Sequence, residues 1–257
     1  DRSSAASDVY KRQTMGCRTR VYENVAGEKT SLGRGNLSFT TMNMPRLAIE
    51  ARIKAESMEE SGKKEAIERT AKELFIQSVH QTAELIAEQL YSRYQYQRTA
   101  LARQFPFMMG NDVWKGGGKL APNDQVGDVL RQGTLGIGFI GGHNAMMALY
   151  GESHGHSRKA WDTLYEAVLE MNKVADDYKA KYQLNFSVLA TPAEGLSGRF
   201  TRMDRRKYGT IPGVTDNDYY VNSFHVDVKE SITIVDKIKR EAPFHAITRG
   251  GHITYVE

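Results

Sequence analysis

Apolar positions along the chain switch repeatedly between alternate-residue and helical spacing, the signature of strands exchanged for helices. A glycine turn and β-prone run, "GRGNLSFTTMNM" (33–44), leads into the helical "PRLAIEARIKAES" (45–57). From 64 to 103, Leu74, Phe75, Val79, Leu85, Ile86 and Leu90 keep helical spacing and predict one long helix. "GTLGIGFIGG" (133–142) reads as a buried strand bounded by glycines, followed by the helical "HNAMMALYG" (143–151). Trp161, Leu164, Tyr165, Val168, Leu169 and Val174 mark a further helix ending near Tyr182. "LNFSVLAT" (184–191) and "YYVNSFHVDV" (219–228) are predicted strands, "ESITIVDKIKREA" (230–242) a helix, and "GGHITYVE" (250–257) a last strand. "WKGGGKLAPND" (114–124) is the clearest loop. Alternation of this kind predicts a parallel or mixed sheet, as an open α/β fold or a barrel.

Composition narrows the class. The 257 residues are 40% hydrophobic and 26% charged, which is ordinary for a globular protein. No apolar run approaches the roughly 18 to 20 residues of a membrane span, and the formal charge of +4 comes with no basic tail for nucleic acid. A single cysteine excludes an internal disulfide framework and fits a reducing, cytoplasmic setting. The opening "DRSSAASDVYKRQ" (1–13) is small and polar without periodicity and reads as a non-native leader, leaving 14–257 as an incomplete domain.

Two places hold candidate chemistry. Cys17 lies in "TMGCRTRV" between Arg18 and Arg20. It suits a buried filler, a thiolate activated by the arginines, or a thiol used otherwise than as a nucleophile. The second place is "ATPAEGLSGRF" (190–200). Thr191 is placed to cap a helix with Pro192 in its first position and Glu194 completing a capping box. Such a helix start presents free N–H groups at the end of a strand, an anion site to which Ser197 and Arg199 would add donors; a capped helix without a ligand fits the same pattern. "HGH" (154–156), near His143, reads as an exposed loop, and His225, His245 and His252 as satisfied core or lining residues. Arg199, Arg202, Arg205 and Arg206 suit either a solvated face or a ligand contact.

The blocks "MGCRTRV", "GRGNLSFTTMNMPRLAIEA", "GTLGIGFIGG", "VLATPAEGLSGRF", "GVTDNDYYVNSFHV" and "EAPFHAITRGGHITYVE" follow one another in an order and spacing that resembles the anaerobic (class III) ribonucleoside-triphosphate reductases. These are glycyl-radical enzymes. The resemblance implies part of a ten-stranded α/β barrel with a cysteine at the tip of a finger loop, matched by Cys17. It implies that this cysteine, as a thiyl radical, takes the 3′ hydrogen of the ribose, and that Asn36 lies near sugar and cysteine. Thr191, Pro192, Ala193, Glu194, Gly195, Leu196 and Ser197 match the segment that holds substrate phosphates. Ribonucleoside triphosphates, nucleotide effectors, a radical-generating iron–sulfur activase using S-adenosylmethionine, formate as reductant, a structural zinc and a homodimer belong to the full-length family. The second cysteine, the paired cysteines for zinc and the radical glycine segment are absent here, so the fragment alone is expected to be inactive. A formate-lyase or dehydratase relative, or a non-catalytic phosphate-binding module, are the alternatives.

Overall fold

The computed structural model describes residues 13–15, 19–21, 23–59 and 62–255. In chain order the elements are β1 (Gln13–Met15), β2 (Thr19–Val21), β3 (Asn36–Asn43), α1 (Met44–Met58), α2 (Lys64–Gln97), α3 (Pro106–Gly110), α4 (Gly127–Leu130), β4 (Thr134–Ile140), α5 (Gly142–Tyr150), α6 (Arg158–Tyr182), β5 (Asn185–Ala190), α7 (Gly195–Tyr208) and α8 (Ile234–His245). Among the described residues β3, β4 and β5 form a parallel sheet with β4 in the middle, and β1 pairs with β2 antiparallel.

The middle strand explains the architecture. In "TLGIGFI" large apolar residues alternate with glycine, so its two faces differ completely. Leu135, Ile137 and Phe139 point with Met42, Phe186, Val188 and Ala190 into the main hydrophobic core, where α2 and α6 cover them. Gly136 and Gly138 face the other way, alongside Phe39, Thr41 and Leu189. A bulge between Asn36 and Ser38 shifts the register by one, so Asn36 shares the glycine face, which strict alternation would deny it.

Helix ends are set by local chemistry. Asn43 caps α1 by accepting from the Arg46 N–H, Ser157 caps α6 by accepting from Ala160, and Thr233 caps α8 by accepting from Asp236. The long helix stops at Gln97, short of 103, because Ala102 and Val126 N–H groups bond to the carbonyls of Asp124 and Ala100 and turn the chain back along the loop.

Two predicted strands do not form ladders. Residues 219–228 are a loop whose backbone serves α5 instead. Gly141 and Gly142 donate to the carbonyls of Val221 and Ser223, and the Val221 N–H donates to Asn144 Oδ1. Near the chain's end Gly251 makes single bridges, to Thr19 and to Leu189, with no strand around it.

Gly138 is the tightest point of the glycine face. A Cβ there would stand 2.2 Å from Thr191 Oγ1 and 3.2 Å from the Thr40 carbonyl, whereas at Gly136 the nearest atom is Phe39 Cβ at 3.0 Å. Gly138→Ala is therefore expected to destabilise by about 1–3 kcal/mol through overpacking, and Gly136→Ala by less. Urea midpoints of the two variants check the order; Gly136→Ala as the worse change would contradict it.

Candidate functional site

The glycine face runs to the C-terminal ends of the parallel strands, where α/β folds place ligands. There Thr41 of β3 donates its hydroxyl to Thr191 Oγ1 at 3.1 Å, across Gly138. Thr191 is buried and its hydroxyl faces the sheet, so it does not cap a helix. The capping box predicted from Thr191 and Glu194 is absent, and α7 begins at Gly195 instead of Pro192. Glu194 bridges strand and helix with φ +42°, a left-handed conformation costing a non-glycine residue on the order of 1–3 kcal/mol. Leu196 and Ser197 N–H groups bond back to the carbonyls of Ala193 and Glu194, as does the Ser197 hydroxyl, to Glu194. Glu194 and Gly195 remain exposed, and nothing lies within 4 Å of the position a Gly195 Cβ would take. The helix start is open, although two of its donors are already engaged.

Asn36 sits at the opposite end of the same face, its amide donating to Thr134 Oγ1 at 3.1 Å. Asn36 pairs with Thr134 and Thr134 with Asn185, six residues before Thr191, so the two predicted site positions stand about 20 Å apart along the strands. Cys17 lies outside the described residues. Its flanking strand β2 begins at Thr19, which bridges Gly251 beside Leu189, and β2 also approaches β3. The Arg20 N–H donates to the Gly250 carbonyl at 2.8 Å and its guanidinium to His252 Nε2 at 2.9 Å.

Sequence reasoning missed the charged centre of this edge. Asp204 of α7 is fully buried and accepts from Asn43 Nδ2 at 2.8 Å, Arg46 Nε at 2.7 Å and Tyr220 OH at 2.9 Å, with Arg46 Nη2 at 2.5 Å. Burial opposes the charge on Arg46, but Asp204 outweighs it and the guanidinium is held more firmly protonated. Burial, then the Asp204 charge, pushes the Tyr220 phenol far up. The only sequence signal was the asparagine ending a β-prone run before Pro45, a cap pattern. In the basic cluster Arg205 is structural, donating to the carbonyls of Thr215 and Asn217; Arg199, Arg202 and Arg206 are exposed.

The histidines divide differently from the expectation. His154 is wholly buried and His143 nearly so, which corrects the reading of "HGH" as an exposed loop; only His156 is open, paired with Glu230 at 3.0 Å. Burial pushes His154 down to about 3, its Nε2 lying 2.8 Å from the Phe224 carbonyl. His252, stacked on His245 at 4.1 Å, is pushed down to about 4 by burial, with Arg20 and His245 adding to the effect. Among the described residues no group of three or more His, Cys, Asp or Glu is placed to hold a metal ion. No helix there is long and apolar enough to cross a membrane.

Both histidines are neutral in the folded protein, while the unfolded chain takes up protons below about 6.5. Their contribution to stability is therefore fully present above pH 6.5 and is lost as the pH falls toward 4. Denaturant midpoints across that window should drop, and His252→Gln should make the slope shallower; an unchanged slope would contradict the assignment to His252.

Residues 3–257 match the family described as anaerobic ribonucleoside-triphosphate reductase. The chain is 32% identical over 247 residues to the anaerobic ribonucleoside-triphosphate reductase of Enterobacteria phage T4, covering 95% of this chain and 37% of that protein. It is likewise 32% identical over 248 residues to the Escherichia coli K12 protein of that name, covering 95% and 32%. It thus spans about a third of the length of these curated relatives. Among solved structures, an anaerobic ribonucleotide reductase superposes with a TM-score of 0.62 at 16% identity, covering 90% of this chain and 31% of that one. The Thermotoga maritima anaerobic ribonucleotide reductase in complex with dATP and CTP superposes at 0.59 with 15% identity, covering 89% and 33%. At such identities the superpositions speak for the fold, while the match over nearly the whole sequence decides the family: the chain belongs to the anaerobic ribonucleoside-triphosphate reductases.

Proposed function

We propose that this chain supplies part of the catalytic barrel of an enzyme that reduces ribonucleoside triphosphates to deoxyribonucleotides. The glycine face of β4 is the barrel's inner wall in this reading, and β1 and β2 are the two limbs of a finger loop with Cys17 at its tip. The observation that carries it is the placement of β2. Its first residue is tied through Gly251 to the end of β5, next to Thr191, so the limb following Cys17 starts where the 191–197 segment begins. The open start of α7 at Glu194 and Gly195 receives the substrate phosphates.

Chemically, Cys17 acts by hydrogen-atom transfer. As a thiyl radical it takes the 3′ hydrogen of the ribose and becomes S–H; the 2′ hydroxyl then departs as water, and the hydrogen is returned to C3′. A glycyl radical in another segment of the enzyme supplies the initial oxidising equivalent, and formate, oxidised to carbon dioxide, supplies the two electrons. The zinc of the family calls for paired cysteines, and Cys17 is the only cysteine in these 257 residues. Asn36, about 20 Å along the face from Thr191, stands too far from the 191–197 segment to reach the sugar of a nucleotide whose phosphates that segment holds, so this reading gives it no contact with the substrate.

The test is Cys17→Ser in a full-length enzyme containing this chain. An O–H bond is much stronger than S–H, so serine fits the space but cannot relay the hydrogen. Deoxyribonucleotide formation should be abolished, with stability within about 1 kcal/mol of wild type and glycyl-radical formation retained by electron paramagnetic resonance. An activated variant that still turns over would overturn the thiyl role.

A further inference from the structure

Beside Ser197 lies a cleft of about 190 Å³, lined also by Tyr219, Tyr220, Asn222, His225, Lys237 and others of the 219–228 loop. A roomier cleft of about 550 Å³ among Leu37, Tyr96, Phe105, Met108 and Trp114 has no acidic or basic side chain, which suits it poorly to a charged ligand. The smaller cleft holds a histidine arranged as ligand-binding histidines are. His225 has only 7% of its side chain exposed; its Nδ1 is 3.1 Å from Glu241 Oε2, and its buried Nε2 has no hydrogen-bond partner among the described residues. Glu241 is fully buried, and its other oxygen accepts from the Val226 N–H. Burial alone would raise the Glu241 pKa, but the hydrogen bond and charge of His225 lower it, so Glu241 stands as a carboxylate fixing the imidazole.

A buried polar atom without a partner costs about 1–3 kcal/mol, and in a cleft beside a helix start it points to a ligand group. The surrounding donors define that group. The Ala193 N–H donates to Asn222 Oδ1, which ties the 191–197 segment to the loop bearing His225. Lys237 brings an ammonium to the lining, steadied on the Tyr255 carbonyl at 2.9 Å. Asp227, the one acid among the described residues of the lining, is faced by His143 at 3.9 Å.

We propose that His225, held by Glu241, is a further binding residue of this site, donating from Nε2 to a phosphate oxygen of the nucleotide. The proposal rests on the nucleotide reading above. A histidine placed between Glu241 and a phosphate has an anionic acceptor at each ring nitrogen, the stronger class of hydrogen bond. Glu241 is a positioning residue.

The test is binding of a ribonucleoside triphosphate, and of the matching unphosphorylated ribonucleoside by competition, to full-length enzyme carrying His225→Asn, His225→Gln or Glu241→Gln. His225→Asn keeps a donor toward Glu241 but removes Nε2, and should weaken the triphosphate about tenfold, the loss of one charge-assisted hydrogen bond. The ribonucleoside should bind as before, His225→Gln should restore much of the affinity, and Glu241→Gln should act in the same direction by less. If one variant fails to fold, the others decide by the same comparison. Unchanged triphosphate affinity, or equal loss for triphosphate and ribonucleoside, would overturn the phosphate role. A wild-type enzyme that binds neither would overturn the nucleotide reading, and this proposal with it.

Discussion

The structure depends on two missing side chains in the middle strand. Parallel sheets are ordinarily apolar on both faces because helices cover both. Here β4 places Leu135, Ile137 and Phe139 under α2 and α6 and sets Gly136 and Gly138, between Thr134 and Ile140, on the opposite side. At the two glycines β4 has no side chain on that side, which lets groups from the neighbouring strands meet over it. The Thr41–Thr191 hydrogen bond exists because Gly138 leaves room for it. With Thr191 drawn into the sheet, the chain must leave β5 later and more sharply, through Glu194 at positive φ, before α7 can begin. One glycine thus sets where the helix start stands.

Around that edge, charge does what apolar packing cannot. Asp204 gathers donors from the end of β3, the first turn of α1 and the 209–225 loop. Removing a partner would leave charge buried without compensation, a far larger cost than the gain of any one bond. The same loop closes the N-terminus of α5 through Val221, Ser223 and Asn144. The position of His225 is therefore inherited from two anchored ends, one on α5 and one, through Glu241, on α8. A residue so placed on a loop has the definition of one on a helix.

Periodicity made α1, α2, α5, α6 and α8 and the three parallel strands legible, while the short α3 and α4 gave no such signal. It failed where side chains answer to something other than periodicity. "TPAE" has the composition of a capping box, yet Thr191 lies across from Thr41, which no local pattern reveals. "YYVNSFHVDV" has a strand's residues but lies where α5 needs acceptors, and its backbone is used for that. His154 reads as part of a loop by its neighbours, while the Phe224 carbonyl, 70 residues away, draws it inside. The Asp204 cluster was illegible for the same reason: its partners at 43, 46 and 220 are far apart in sequence. The family resemblance reached further than the physics because it compares whole blocks and does not need their contacts.

The two arginines flanking Cys17 bear on which chemistry the thiol suits. Adjacent cations would favour a thiolate, which is the wrong state for giving back a hydrogen atom. Arg20 has an engagement of its own: its guanidinium donates to His252 Nε2, and His252, neutral and resting Nδ1 on Thr248, is able to accept. Its backbone N–H is spent on Gly250 in the same place, so both ends of the residue fasten β2 to the 248–252 turn. The residue that composition alone would cast as an activator of a nucleophile is, in the fold, a clamp that fastens β2 to the 248–252 turn.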